Sequence, residues 1–176
     1  MSTFVQVMLD GLLAGMLYAL VAAGLSLIWG VMDVINFAHG EFLMVAMYLS
    51  YWLGFLAHVD PIVSWVASGA FVFILGALTY RFIVSRCIGK AAMAPLLATF
   101  GLSMFLKNFC LNRFSPNFRI LQTTVLEGKK IILGDIVIGL PQLVTGLCSL
   151  AILFALYFLM KKTRLGWAIQ ATAMDR

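Results

Sequence analysis

Charged residues fall mostly at the joints of this chain, and between them run apolar stretches of the length that crosses a lipid bilayer as a helix. They are Leu12 to Trp29, Phe42 to Leu56, Ile62 to Ile83, Ala91 to Leu111 and Leu143 to Met160. A hydrocarbon core of about 30 Å takes roughly 20 apolar residues in a helix. At about 1.5 Å per residue the first run reaches roughly 27 Å, enough to cross with help from its flanks. Only 11% of residues are charged and mean hydropathy is +1.04, against about 25% charged residues in an ordinary soluble domain. The expected fold class is all-α: a polytopic transmembrane helical bundle of about five spans, residues 12–29, 42–56, 62–83, 91–111 and 143–160. Met1 to Gly30 carries no Lys or Arg ahead of its apolar run, which is also longer than a signal core, so it is expected to be a retained helix.

The net charge of +5 does not point to nucleic acid. Lys and Arg sit where the positive-inside rule wants them, at the ends of apolar runs. Arg81, Arg86 and Lys90, and again Lys161, Lys162 and Arg164, have no acidic neighbours and are expected to face the cytoplasm. That places the N-terminus outside and makes residues 112–141 an external loop. That loop holds the turn signals Ser115-Pro116 and Gly134-Asp135, and its runs "RILQTTVL" and "KIILGDIVIGL" are expected to pair as a small hairpin outside the membrane. The three cysteines, Cys87, Cys110 and Cys148, lack any zinc or disulfide spacing.

One stretch resists this plain description. "VINFAHGEF", Val34 to Phe42, puts Asn36, His39 and Glu41 between two apolar runs, and a charge at the bilayer centre costs about 2.5 to 3.5 kcal/mol on insertion scales. Three readings compete. The stretch is a short wet loop; or a broken or re-entrant segment at 30–41 enclosed by helices, the only setting in which non-helical backbone survives at membrane depth; or a break that forms part of a substrate path. A metal site is not expected, since His39 and Glu41 alone lack a ligand spacing such as HExxH. No nucleophile elbow and no phosphate loop occurs, so catalytic residues are expected to be none, and any nucleotide hydrolysis belongs to another polypeptide.

Two further patterns concern helix contacts. Gly11, Gly15, Ala19 and Ala23 form a small-residue ridge that lets another helix approach closely. Thr99 and Ser103, four apart, share one face of the fourth span. Ser64, Ser68, Gly69 and Gly76 are candidate close-contact positions in the third.

"GLLAGMLYALVAAGLSLIWGVMDVINFAHGEF" (Gly11 to Phe42), "APLLATFGLS" (Ala94 to Ser103) and "KTRLGWAIQATAMDR" (Lys162 to Arg176) together resemble the permease subunits of bacterial ABC importers for branched-chain amino acids. The resemblance is closest to the H-type permeases of the Liv system. It implies a multi-pass inner-membrane subunit surrounded by membrane lipid. Its implied partners are a second permease subunit, a periplasmic amino-acid-binding protein and cytoplasmic ABC ATPase subunits; those ATPases use ATP, and this chain binds no cofactor of its own. It further implies a substrate pathway near Asn36, His39, Glu41, Thr99 and Ser103. Residues 161–176 become the start of a cytoplasmic ATPase-docking loop, truncated here, with Arg164, Leu165, Trp167, Ile169, Asp175 and Arg176 as docking residues. Gln170 stands where an arginine is common in such permeases, and Lys107 where a neutral amide is usual. The alternative function is an ion-coupled carrier or channel using Glu41 or His39; a third is a membrane scaffold.

Overall fold

The structure is a computed structural model that describes residues 2–90, 93–114, 117 and 128–174. The described residues are overwhelmingly helical, and five helices are long and apolar enough to cross a membrane. The helical spans run beyond the apolar cores read from the sequence: α1 is Ser2–Met32, α2 His39–Ala57, α3 Pro61–Thr79, α5 Met93–Phe114 and α6 Leu140–Lys162. A π-helical turn, Tyr80–Val84, and the short α4, Ser85–Cys87, prolong α3. The chain closes with α7, Arg164–Met174. Contacts divide it into two compact units, residues 1–33 with 126–176 and residues 34–125.

In the first unit α1 packs along α6. Both helices point the same way. At one end Gln6 binds the strand Ile136–Gly139, which leads straight into α6, through Gln6 Nε2 to the Val137 carbonyl at 2.8 Å and the Val137 N–H to Gln6 Oε1 at 2.9 Å. At the other end Trp29, Gly30 and Asp33 line a cavity with Ala173 of α7, which follows α6. Helices one and five of an alternating five-span chain must be parallel, so this agrees with the count of spans. The close approach between them is made by Gly146, where a Cβ would lie 3.0 Å from Leu13 Cδ2 and 3.6 Å from the Leu13 carbonyl. The ridge predicted for close packing behaves differently. Gly11, Gly15 and Ala19 are exposed, Ala23 is half-buried, and nothing lies within 4 Å of a Cβ built on Gly11 or Gly15. The α1 stripe that does meet α6 carries Leu13 and Met16, because one glycine on the partner helix suffices to bring the backbones together.

A hairpin forms within the second of the two β-prone runs. β1, Lys130–Leu133, and β2, Ile136–Gly139, pair antiparallel with Leu133 opposite Ile136, so "KIILGDIVIGL" folds on itself. Gly134, at φ +63, supplies the positive φ that the first position of a two-residue II′ turn requires. "RILQTTVL" lies outside the described residues.

In the second unit α2 and α3 form an antiparallel pair closed by His58 and Asp60. His58 takes the left-handed conformation, φ 52, as the cap of α2. The Asp60 carbonyl accepts from Val63 and Ser64, while Pro61 starts α3 where its missing N–H costs nothing. Ser64 and Ser68 are buried, and the Ser64 hydroxyl meets that of Ser50 across the pair. Around Gly69 and Gly76 there is open space; hydroxyls rather than glycines occupy the contact. α5 joins through the stack of Phe114 on Tyr48, centroids 4.7 Å apart, and through a core of Ala38, Phe42 and Leu106.

Candidate functional site

The polar segment is not helical and is partly buried: Val34 and Ala38 are buried, whereas Ile35 and Phe37 are exposed. α1 stops where Asp33 turns to φ 51, a conformation that Asp tolerates better than most residues. Residues 34–38 then cross as coil and turn before α2 begins at His39. Ala38 and Thr99 are both 0% exposed, and Val34 is buried. Backbone hidden in this way must find partners inside the protein. Thr99 of α5 supplies them. Its hydroxyl accepts from the Phe37 N–H at 3.3 Å, and its own proton is shared between the Ile35 carbonyl at 3.3 Å and the Leu96 carbonyl at 3.1 Å. The Phe37 ring meets Phe100 edge-on at 6.2 Å.

Asn36 closes the turn. Its Oδ1 accepts from the Ala38 N–H at 3.0 Å and its carbonyl accepts from the His39 N–H at 3.2 Å, so side chain and backbone each satisfy one donor that the start of α2 would leave orphaned. His39 and Glu41 occupy the first turn of α2, both half-buried. A carboxylate there is favoured by the partial positive charge of the helix N-terminus. Thus Asn36, His39, Glu41 and Thr99 form one neighbourhood at the start of α2. Ser103, one turn further along α5, is buried on the same face as Thr99.

The second candidate region is the corner between α6 and α7. Thr163 ends α6 in extended backbone and caps α7. Its hydroxyl donates to the Leu159 carbonyl at 2.6 Å and accepts from the Gly166 N–H at 3.1 Å. Trp167 Nε1 donates to the Lys161 carbonyl, and Gln170 Nε2 to the Met160 carbonyl, each at 3.1 Å. α7 therefore folds back on the last carbonyls of α6 so closely that a Cβ on Gly166 would collide with the Leu159 and Met160 oxygens. Of the predicted docking residues, Arg164, Leu165 and Trp167 are exposed and Ile169 is half-buried. Asp175 and Arg176 lie outside the described residues.

Residues 7–176 match the family described as branched-chain amino acid transport system / permease component. The chain belongs to this family. The high-affinity branched-chain amino acid transport system permease protein BraD of Pseudomonas aeruginosa is 27% identical, with 98% of this chain and 60% of that protein covered. The corresponding permease protein LivH of Salmonella typhimurium is 28% identical over 98% of this chain and 59% of its own length. LivH of Escherichia coli K12 is 32% identical over 60% of this chain and 37% of its own. The chain thus spans about three fifths of the length of the first two relatives. No solved structure matches it.

Several residues matter that the sequence pattern alone passed over. Phe37 offers the backbone donor that Thr99 holds. Thr163, Gly166 and Gln170 build the α6–α7 corner, and "TRLG" did carry a signal for it, because Thr is a preferred N-cap whose side chain bonds the third helical N–H. Gln6 was invisible as a hairpin anchor, since nothing in its local pattern points 131 residues away. Among the described residues no group of three or more His, Cys, Asp or Glu side chains is placed to hold a metal ion.

Proposed function

We propose that this chain is a membrane-spanning permease subunit of an ABC importer that moves branched-chain amino acids across the bacterial inner membrane. The observation that carries the reading is the family match running through residues 7–176, which takes in both the Asn36–Glu41 segment and α7. The relatives are named as transport-system permeases, which favours this over an ion-coupled carrier working through Glu41 or His39. In this reading the Lys161, Lys162 and Arg164 end of the first unit faces the cytoplasm, and α7 docks on an ATPase subunit that hydrolyses ATP. A second permease subunit completes the path, and a periplasmic binding protein delivers the amino acid.

The substrate pathway runs past the start of α2. Ser103 and the exposed edges of Asn36, His39 and Glu41 supply polar contacts among apolar walls. Thr99 acts differently, because its hydroxyl is already committed to backbone: it positions the segment and does not itself meet substrate. Reconstitution in proteoliposomes with the ATPases, the binding protein and the second permease tests the reading. ATP-dependent leucine uptake is expected. Uptake that ignores the ATPases and follows a proton or sodium gradient would overturn it.

A further inference from the structure

A groove of about 310 Å³ opens in the first unit between the starts of α1 and α6. Asp10, Leu13, Ala14, Leu17 and Tyr18 line one wall, and their spacing of three and four residues makes them a single stripe of α1. Pro141, Gln142 and Thr145 of the first turns of α6 form the other wall. Its size lies at the small end of ligand sites, which run from about 300 to 1,000 Å³. The stripe from Asp10 to Tyr18 is roughly 12 Å long, eight residues at about 1.5 Å each, so the groove suits a short molecule.

The chemistry of the walls is unequal. Asp10 sits at the hairpin end, half-buried. Gln6 Nε2 donates to its Oδ2 at 3.0 Å, and no Lys, Arg or His among the described residues pairs with the carboxylate. The Thr145 hydroxyl is spent on the Pro141 carbonyl at 2.8 Å, which leaves Leu13, Ala14, Leu17 and Pro141 as an apolar floor. A half-buried carboxylate held only by a neutral amide attracts a cation, and a groove with one charged end and a greasy floor attracts a cation with a greasy tail.

We propose that this groove binds a primary ammonium group carried on a short apolar chain, with Asp10 as the counter-ion. An ammonium has three donors: one meets the Asp10 oxygen that Gln6 leaves open, and Gln142 lies across the groove for a second. Two sources carry this group, the amine of an ethanolamine lipid headgroup or a free apolar amine such as an amino acid. The inference does not depend on transport, since it is read as binding to the chain alone.

The full chain in phosphatidylcholine nanodiscs, whose quaternary ammonium has no N–H, is titrated with 3-methylbutylamine by saturation-transfer NMR and equilibrium dialysis. Saturable binding is expected, with none for 4-methylpentanoate, which keeps the chain and replaces the amine by a carboxylate. Asp10→Asn keeps an acceptor for Gln6 and should weaken binding about tenfold or more, the loss of one charge-assisted contact. Ala14→Leu fills the groove from an exposed position and should abolish binding with Asp10 intact, which guards against misfolding of the first variant. Displacement of the probe when phosphatidylethanolamine is added assigns the site to the lipid headgroup, whereas displacement by L-leucine without a lipid effect assigns it to the free amine. Equal binding by wild type and both variants, or no binding by folded wild type, overturns the proposal.

Discussion

Replacing Thr99 by Val tests whether one hydroxyl holds the polar segment. The two side chains are nearly isosteric, so the swap removes hydrogen bonding and little packing. Three contacts go: the one accepted from the Phe37 N–H at 3.3 Å, and the proton shared between Ile35 and Leu96 carbonyls at 3.3 and 3.1 Å. The Leu96 carbonyl loses little, since a residue inside α5 keeps its helical partner. The Phe37 N–H, part-buried in a residue that is itself 47% exposed, loses its acceptor on the fully buried Thr99. Stranding a fully buried donor costs about 1 to 3 kcal/mol, and partial burial with long distances puts this case at about 1 to 2. That corresponds to roughly a 5- to 30-fold rise in the population of the opened segment. Amide hydrogen exchange at Phe37 and Ala38 should rise by that factor in Thr99→Val. Thr99→Ser keeps the hydroxyl but loses a buried methyl worth about 1 kcal/mol, so it should lower global stability while leaving Phe37 protected. Unchanged exchange at Phe37 in the Val variant, or an equal rise in the Ser variant, would refute the latch.

Gly166→Ala should lever α7 off the carbonyls of Leu159 and Met160 at a cost of about 1 to 3 kcal/mol, seen as faster tryptic cleavage after Lys161, Lys162 and Arg164. Gln6→Ala removes the pair of bonds that fixes Val137, so exchange at the Val137 amide should quicken while the α1–α6 contact stays intact in a denaturant titration. Gly146→Leu, placed against Leu13 and Met16, should part α1 from α6 and lower the unfolding midpoint by the equivalent of about 1 to 3 kcal/mol. Gly146→Ala, whose nearest neighbour is the movable end of Leu13, should cost less than about 1 kcal/mol. Glu41→Gln removes a charge from the first turn of α2 and should destabilise by about 0.3 to 1 kcal/mol, less at high salt.

The five spans were legible because the bilayer imposes a length and a composition that appear directly as apolar runs. Their ends were not, because a helix continues past the hydrocarbon boundary for as long as capping allows: α1 runs to Met32, and only the left-handed Asp33 stops it. Asn36, His39 and Glu41 stood out as polar residues out of place. Their holder, Thr99, carried only the weak signal of a hydroxyl on an apolar helix, and its bonds to residues 62 and 64 positions away are tertiary facts. The ridge of Gly11, Gly15 and Ala19 shows the reverse case. A pattern that permits close approach does not compel it, and here Gly146 on α6 makes the approach. The hairpin inside "KIILGDIVIGL" was legible as a β-prone run with a turn signal, because Gly134-Asp135 lies within it and closes the run on itself.

The α6–α7 corner bears on how a short helix can act as a docking element. Leu165, 69% exposed, lies beside the basic run Lys161, Lys162 and Arg164, a combination that suits either anionic headgroups or a protein groove. What separates these outcomes is stiffness. A helix that floats on lipid needs no fixed angle to its neighbour, yet α7 is tied by Thr163, Trp167 and Gln170 to three successive carbonyls at the end of α6. Trp167 is the telling residue, because it is 65% exposed while its indole N–H is bound. The exposed ring is therefore held in place before any partner arrives, which spares the ordering cost of binding. A displacement of α7 would then be passed to the end of α6 as a rigid movement rather than lost in a flexible joint.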